Sequence, residues 1–161
     1  MERKMRRFRQ QLPEGEAWRV LRDCSNGILS LVDIDGEPYG VPLSYACDAE
    51  GHIYFHSAVA GRKIGCIRND GRASVCVIAA DDVRPEEFTT YFRSVIASGR
   101  ISVVDDSDEV LKGLRLLCEK YSPGVDSAAE IASSLPRVAV LRLDIEVLSG
   151  KEAIELTRSR S

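Results

Sequence analysis

The chain has 161 residues, of which 44% are hydrophobic and 29% charged. That length suits one domain around one core, and that composition is too apolar for a disordered chain. Its 22 basic and 25 acidic residues leave a net charge of −3, so there is no global positive field to collect nucleic acid or coat an anionic membrane. No apolar run reaches the ~20 residues of a membrane span, and no apolar stretch follows the N-terminal charges; a soluble, cytoplasmic protein is expected.

Met1–Arg9 (MERKMRRFR) is locally basic and reads as a solvated arm. Leu12–Asp23 then has Pro13 near its start and Ala17, Trp18, Leu21 and Cys24 at helical spacing before Asn26-Gly27, which predicts a short helix. Three β-rich runs follow, Gly27–Ile34, Glu37–Cys47 and His52–Ser57. The turn residues Asp35-Gly36 and Asp48–Gly51 separate them, so an antiparallel meander is expected.

Ala60–Asp70 carries Ile64 and Ile67 at helical spacing and predicts a helix; Ala73–Ala80 predicts a strand, and Asp81–Glu87 a loop. Phe88–Val104 is a long strand candidate with a bend at Ser98-Gly99, where a glycine inside a strand signals a bulge or a close approach. Ser107 is the candidate cap of a helix whose apolar face is Val110, Leu111, Leu114, Leu117, Cys118 and Tyr121. A further helix over Ser127–Ser134 and a sixth strand over Arg137–Leu148 complete the pattern. Six antiparallel strands with a few helices predict an α+β fold built on a small barrel, since closure removes exposed edges. The expected organisation is an arm and helix over 1–26, a barrel over 27–149 and a tail over 150–161.

The five cysteines, Cys24, Cys47, Cys66, Cys76 and Cys118, are odd in number and contain no CxxC pair, so they read as buried thiols and not as a disulfide framework or a zinc site. His52 and His56 are separated by Ile53-Tyr54-Phe55. On a strand that spacing is about 13 Å, too far for a two-histidine metal site, and no metal is expected. The stretch HIYFHSAVAGRKIGCIRND over 52–70 is the most informative. A strand ends in His56-Ser57, a loop of small residues follows, and Gly61-Arg62-Lys63 opens a helix. Helix starts present unpaired N–H groups and partial positive charge, and two cations with a hydroxyl nearby suit a phosphate. Taken alone, the same turn also reads as two solvated cations, and His56 as a hydrogen-bonding residue or as a general acid. Neither a Walker motif nor GxGxxG is present.

GILSLVDIDGEPYGVPLSY at 27–45, IYFHSAVAGRKIGCIRND at 53–70, YFRSVIASGRISVV at 91–104 and LSGKEA at 148–153 closely resemble, in that order, the flavin-binding split-barrel superfamily. The nearest branch is the nitroimidazole-resistance proteins related to pyridoxamine 5′-phosphate oxidase. The resemblance implies a six-stranded split barrel, a homodimer and FMN at the subunit interface. It implies a phosphate held by His56, Ser57, Gly61, Arg62 and Lys63, with Pro42, Leu43, Ser44 and Tyr45 along the isoalloxazine and ribityl chain. Ser94 stands where related oxidases carry a flavin-contacting glutamine. The chain ends RSRS and its one tryptophan is Trp18, unlike the substrate-binding end of the true oxidases, so vitamin B6 oxidation is not expected. The expected function is FMN-dependent reduction, by NAD(P)H, of a nitroaromatic, nitroimidazole or quinone; His56, at the strand end beside the phosphate loop, is the candidate catalytic group. The alternative is a flavin- or heme-binding protein for storage, sensing or carriage.

Overall fold

The computed structural model describes residues 4–160, so the start of the basic arm, Met1–Arg3, lies outside the described residues. Helix α1 spans Glu14–Asp23, and strand β1, Gly27–Val32, pairs antiparallel with β2, Pro38–Leu43, across the Asp35-Gly36 turn. The run expected over Glu37–Cys47 is broken at Ser44-Tyr45: a separate short strand β3, Ala46–Cys47, forms a second hairpin with β4, His52–Ala58. Helix α2 is Arg62–Asn69, β5 Arg72–Arg84, β6 Thr89–Val103, α3 Ser107–Tyr121, α4 Ala128–Ser134, β7 Val138–Glu152 and α5 Ile154–Ser159.

The fold is α+β with a mainly antiparallel sheet, as expected, but the sheet has seven strands and not six, in the order β2-β1-β5-β6-β7-β4-β3. The expected meander is therefore corrected. Its two hairpins lie at opposite ends of the sheet, because turn chemistry reports which strands are joined and not which hairpins pair. The sheet is not closed either, since β2 and β3 exchange no ladder bonds. It is nevertheless strongly curled. Laid flat, six inter-strand spacings would separate the outer strands by roughly 29 Å, whereas Leu43 and Ala46 are three residues apart and the chain between them reaches about 11 Å at most.

The inner face of this curl holds Leu29, Leu31, Ile53, Phe55, Val75, Val77, Val95, Ala97, Leu141 and Leu143, with α1 and α2 adding Leu21, Ile64 and Ile67. A second cluster, Tyr54, Leu114, Ile131 and Val140, lies outside β4 and β7 beneath α3 and α4. Burial on both faces explains why β4 reads IYF and β7 reads VL with no alternation. Among the described residues no helix covers the outer face of β2, β1, β5 and β6: Pro42, Ile28, Cys76 and Ile96 form one row in register, flanked by Gly40, Ser30, Ser74 and Ser98.

The bend at Ser98-Gly99 is present as a register shift against β7. A Cβ on Gly99 would stand 1.9 Å from the Asp144 carbonyl oxygen, so only glycine permits that approach. Other expectations need correction. Asp81–Arg84 is strand and not loop, paired with Thr89–Phe92; both of its faces are solvated, so it carries no alternation. The cap of α3 is Asp106, whose Oδ2 accepts from Glu109 N at 2.9 Å, not Ser107. The expected tail over 150–161 contains the end of β7 and α5. Of the five cysteines, which are all free, only Cys66 is fully buried.

Candidate functional site

The turn into α2 is built by its backbone. Gly61 has φ 127° and ψ −178°, a conformation essentially confined to glycine. Among the described residues no side chain caps the helix, so the first-turn N–H groups, which have no intrahelical acceptor, lack a side-chain one as well. Arg62 is held on two sides: its guanidinium stacks over the Tyr39 ring at 4.0 Å, and its Nε and Nη2 reach Asp33 Oδ2 at 2.6 and 2.5 Å. Asp33 is buried and also accepts from Ile34 N at 2.8 Å and Cys66 Sγ at 3.4 Å. The Ile34 N–H and the Arg62 guanidinium hold its carboxyl below the usual range, and burial with the Asp33 bond pushes the Cys66 thiol up. Two of the five guanidinium donors are engaged by Asp33, which leaves the others directed by a fixed fork. Lys63 is half-buried and has no ion-pair partner among the described residues.

Ser44 and His56 line one cavity of about 410 Å³ between β4 and the helices α3 and α4, walled by Leu114, Leu117, Ile131 and Val138. His56 is exposed within it and stands opposite Val140 in the β4–β7 ladder. Strand alternation sends Ser57 to the other face of β4, so the adjacent pair His56-Ser57 does not share one wall.

Tyr45 is fully buried. Its hydroxyl donates to the Leu21 carbonyl, its N–H donates to Tyr121 Oη at 2.9 Å, and Lys120 Nζ lies 4.0 Å from its ring centroid. Burial drives its phenol far above the ordinary range. The side chain thus anchors the crossing between β2 and β3 to α1 and α3. Pro42 and Ser94 lie on the uncovered outer face, Pro42 against Ile28 and Ser94 between Ile78 and Lys151, whereas Leu43 turns inward against the core. The candidate residues therefore fall into an α2 turn, a helix-covered cavity and an open sheet face. Sequence reasoning missed Asp33, Tyr39 and Tyr121. Asp33 sits in a turn-like DIDG run and signals nothing about a partner 29 residues away.

A separate polar cluster joins the β3–β4 turn to α3. Asp48 accepts from Glu50 N and His52 N at 2.9 Å each, from His52 Nδ1 at 2.7 Å and from Lys112 Nζ at 2.8 Å. Asp48, Glu50 and His52 present ligand-type atoms within 4.8 Å of one another, but the Lys112 ammonium already balances the charge there.

A curled, open antiparallel sheet with a glycine-led, cation-bearing helix start defines the split-barrel class. The chain belongs to the pyridoxamine 5′-phosphate oxidase family, whose model matches residues 13–152. Among solved structures it resembles an FAD-binding protein from Mesorhizobium loti (29% identity, TM-score 0.65, covering 89% of this chain and 96% of that one). It also resembles a candidate 5-nitroimidazole antibiotic resistance protein from Bacteroides thetaiotaomicron (16% identity, TM-score 0.76, covering 88% and 86%). A third is the flavocytochrome Anf3 from Azotobacter vinelandii (21% identity, TM-score 0.73, covering 93% and 72%). No curated protein matches the chain. The superfamily resemblance, with a nitroimidazole-resistance relative, is borne out. Among the described residues no helix is long and apolar enough to cross a membrane.

Proposed function

We propose that this protein binds FMN as a homodimer and acts as an oxidoreductase, passing electrons from NAD(P)H to a small nitroaromatic, nitroimidazole or quinone acceptor. The observation that carries the reading is the α2 turn: an uncapped helix start, a glycine-only backbone at Gly61, Arg62 fixed by Asp33 and Tyr39, and Lys63 beside it. These residues fit a phosphate. Backbone N–H groups and a pre-set guanidinium fork bind phosphate oxygens without first ordering a flexible side chain.

When bound, the flavin supplies the hydride and electron chemistry. The chain's own residues supply position and protons. The apolar walls of the His56 cavity, Leu114, Leu117, Ile131 and Val138, would shield an aromatic ring, Ser44 would offer it a hydroxyl, and His56 would stand at the cavity surface as a hydrogen-bond donor or proton source for the acceptor. The uncovered row Pro42, Ile28, Cys76 and Ile96 supports the homodimer, because Ile28 and Ile96 are 41% and 44% exposed on an apolar face that a second copy would cover. Ser94 on that face accords with a cofactor at the subunit interface.

Carriage of heme is a second reading. The apolar, histidine-bearing cavity suits it, and one relative is described as a flavocytochrome. The visible spectrum of freshly purified protein separates the two. Flavin bands bleached by NAD(P)H and restored by a nitroaromatic or quinone without dioxygen are expected; a lone Soret band, or a flavin that no donor reduces, overturns the oxidoreductase reading.

A further inference from the structure

Strands β5 and β6 run on past the sheet. β7 ends at Glu152 opposite Arg93, so Asp81–Arg84 pair with Thr89–Phe92, and no third strand among the described residues flanks that ribbon. An extra residue, Ala79, interrupts the register between Ile78 and Ala80 and re-aims the ribbon, as a bulge does. Two-stranded ribbons are marginal in water, yet this one is braced. Arg84 bonds Asp82 at 2.7 Å and stacks over Tyr91 at 4.7 Å, and Tyr91 Oη donates to Glu87 Oε2 at 2.8 Å. Its tip displays Phe88 in the left-handed region at φ 51° with 97% of its surface exposed, near Val83 at 62%. The tip carries Glu86 and Glu87 against Arg84, and Asp82 and Asp81 follow along the ribbon toward its base.

The opposite character occurs at the start of the described chain. Lys4, Arg6, Arg7 and Arg9 are exposed with no acid among them. Arg6–Gln10 and Ile154 surround a hollow of about 340 Å³, beside which Phe8 is 69% exposed. We propose that the acidic hairpin tip of one protomer seats Phe88 in the Phe8–Ile154 hollow of a second copy of this chain, with the reciprocal contact made across a two-fold axis. An aromatic anchor in a pocket ringed by opposite charge is the arrangement that concentrates binding energy and orients encounter. The tip cannot serve its own hollow. Ala153 N donates to Phe92 O at 2.8 Å, so Ile154 sits at the base of the ribbon, and Phe88 stands about 13 Å further along it.

The inference rests on the homodimer reading, and its test separates the two. Phe88→p-benzoylphenylalanine is irradiated in a mixture of isotope-labelled and unlabelled protein, and the cross-links are mapped, while sedimentation gives the dimer dissociation constant. Interchain cross-links to residues 4–10 or 154 are expected. Phe88→Ala is expected to raise the dissociation constant about ten-fold or more. Glu86→Lys with Glu87→Lys does the same, and Arg6→Glu with Arg7→Glu restores it. A dimer whose cross-links are intrachain or map elsewhere, or one that Phe88→Ala leaves unchanged, overturns the arm contact alone; a monomeric wild type overturns the homodimer as well.

Discussion

Arg62, the cation on which the phosphate reading depends, is bound through Nε to the buried carboxylate of Asp33 at 2.6 Å, across 29 residues of sequence. The pair fixes the plane of the guanidinium against Tyr39. A lysine keeps the charge but neither the fork nor the stack. Arg62→Lys is therefore expected to weaken FMN binding about ten-fold, the loss of roughly one charge-assisted hydrogen bond, with riboflavin affinity unchanged. Titration of flavin fluorescence measures both.

His56 lines the helix-covered cavity and its ring is exposed there. His56→Ala is expected to slow reduction of a nitroaromatic or quinone by ~10²-fold, the scale of lost general acid–base help, while FMN affinity changes little. Stopped-flow reoxidation of the reduced protein under anaerobic conditions reads the step directly. Equal rates in mutant and wild type would assign the residue to packing alone.

Tyr121 ties the β2–β3 crossing to α3. Its hydroxyl donates to the Ser25 carbonyl at 2.5 Å, with the Tyr45 carbonyl 3.0 Å away, and accepts from Tyr45 N. Tyr121→Phe leaves the N–H of a fully buried residue unpaired, at a cost of about 1–3 kcal/mol. Urea denaturation is expected to show a lower midpoint at an unchanged slope, since the surface exposed on unfolding is the same.

Acid should weaken the Asp48 cluster. Burial alone would raise this carboxyl, but the bonds from Lys112, from the His52 N–H and ring, and from the Glu50 N–H outweigh it and hold the group well below its ordinary range. A carboxylate depressed by folding stabilises above its unfolded pKa of about 3.9 and loses that contribution as pH falls further. Asp48→Asn should therefore be less stable than wild type at pH ~7, with the gap narrowing below about pH 4. A gap that stays constant through that range would show that the charge plays no part.

Features whose cause is local could be read from the sequence. The bend at Ser98-Gly99 follows from a glycine set in a β-rich run, and the start of α2 from Gly61-Arg62-Lys63 ahead of Ile64 and Ile67. Features with distant causes could not. The neighbours of β4 are β3 and β7, yet the turn at Asp35-Gly36 and the one at Asp48–Gly51 look alike in sequence, so nothing said that β2 and β3 would end on opposite edges. Asp81–Arg84 was hidden because its ribbon is solvated on both faces. Asp106 and Ser107 are both capping types, and only backbone geometry chooses between them. Tyr45 lies in a segment whose resemblance implies ligand contact, but its side chain belongs to the core; which face a residue takes after a break such as Ser44-Tyr45 depends on the crossing and not on strand parity.

The phosphate site is tested most directly by FMN and riboflavin titrations of wild type and of Arg62→Ala with Lys63→Ala. Each charged hydrogen bond to phosphate contributes roughly 1.5–3 kcal/mol, so the double variant is expected to lose about two to four orders of magnitude in FMN affinity. Riboflavin, which lacks the phosphate, should bind both proteins nearly alike. Equal FMN affinity in the two proteins, or an equal loss for riboflavin, would contradict a phosphate held at the α2 turn.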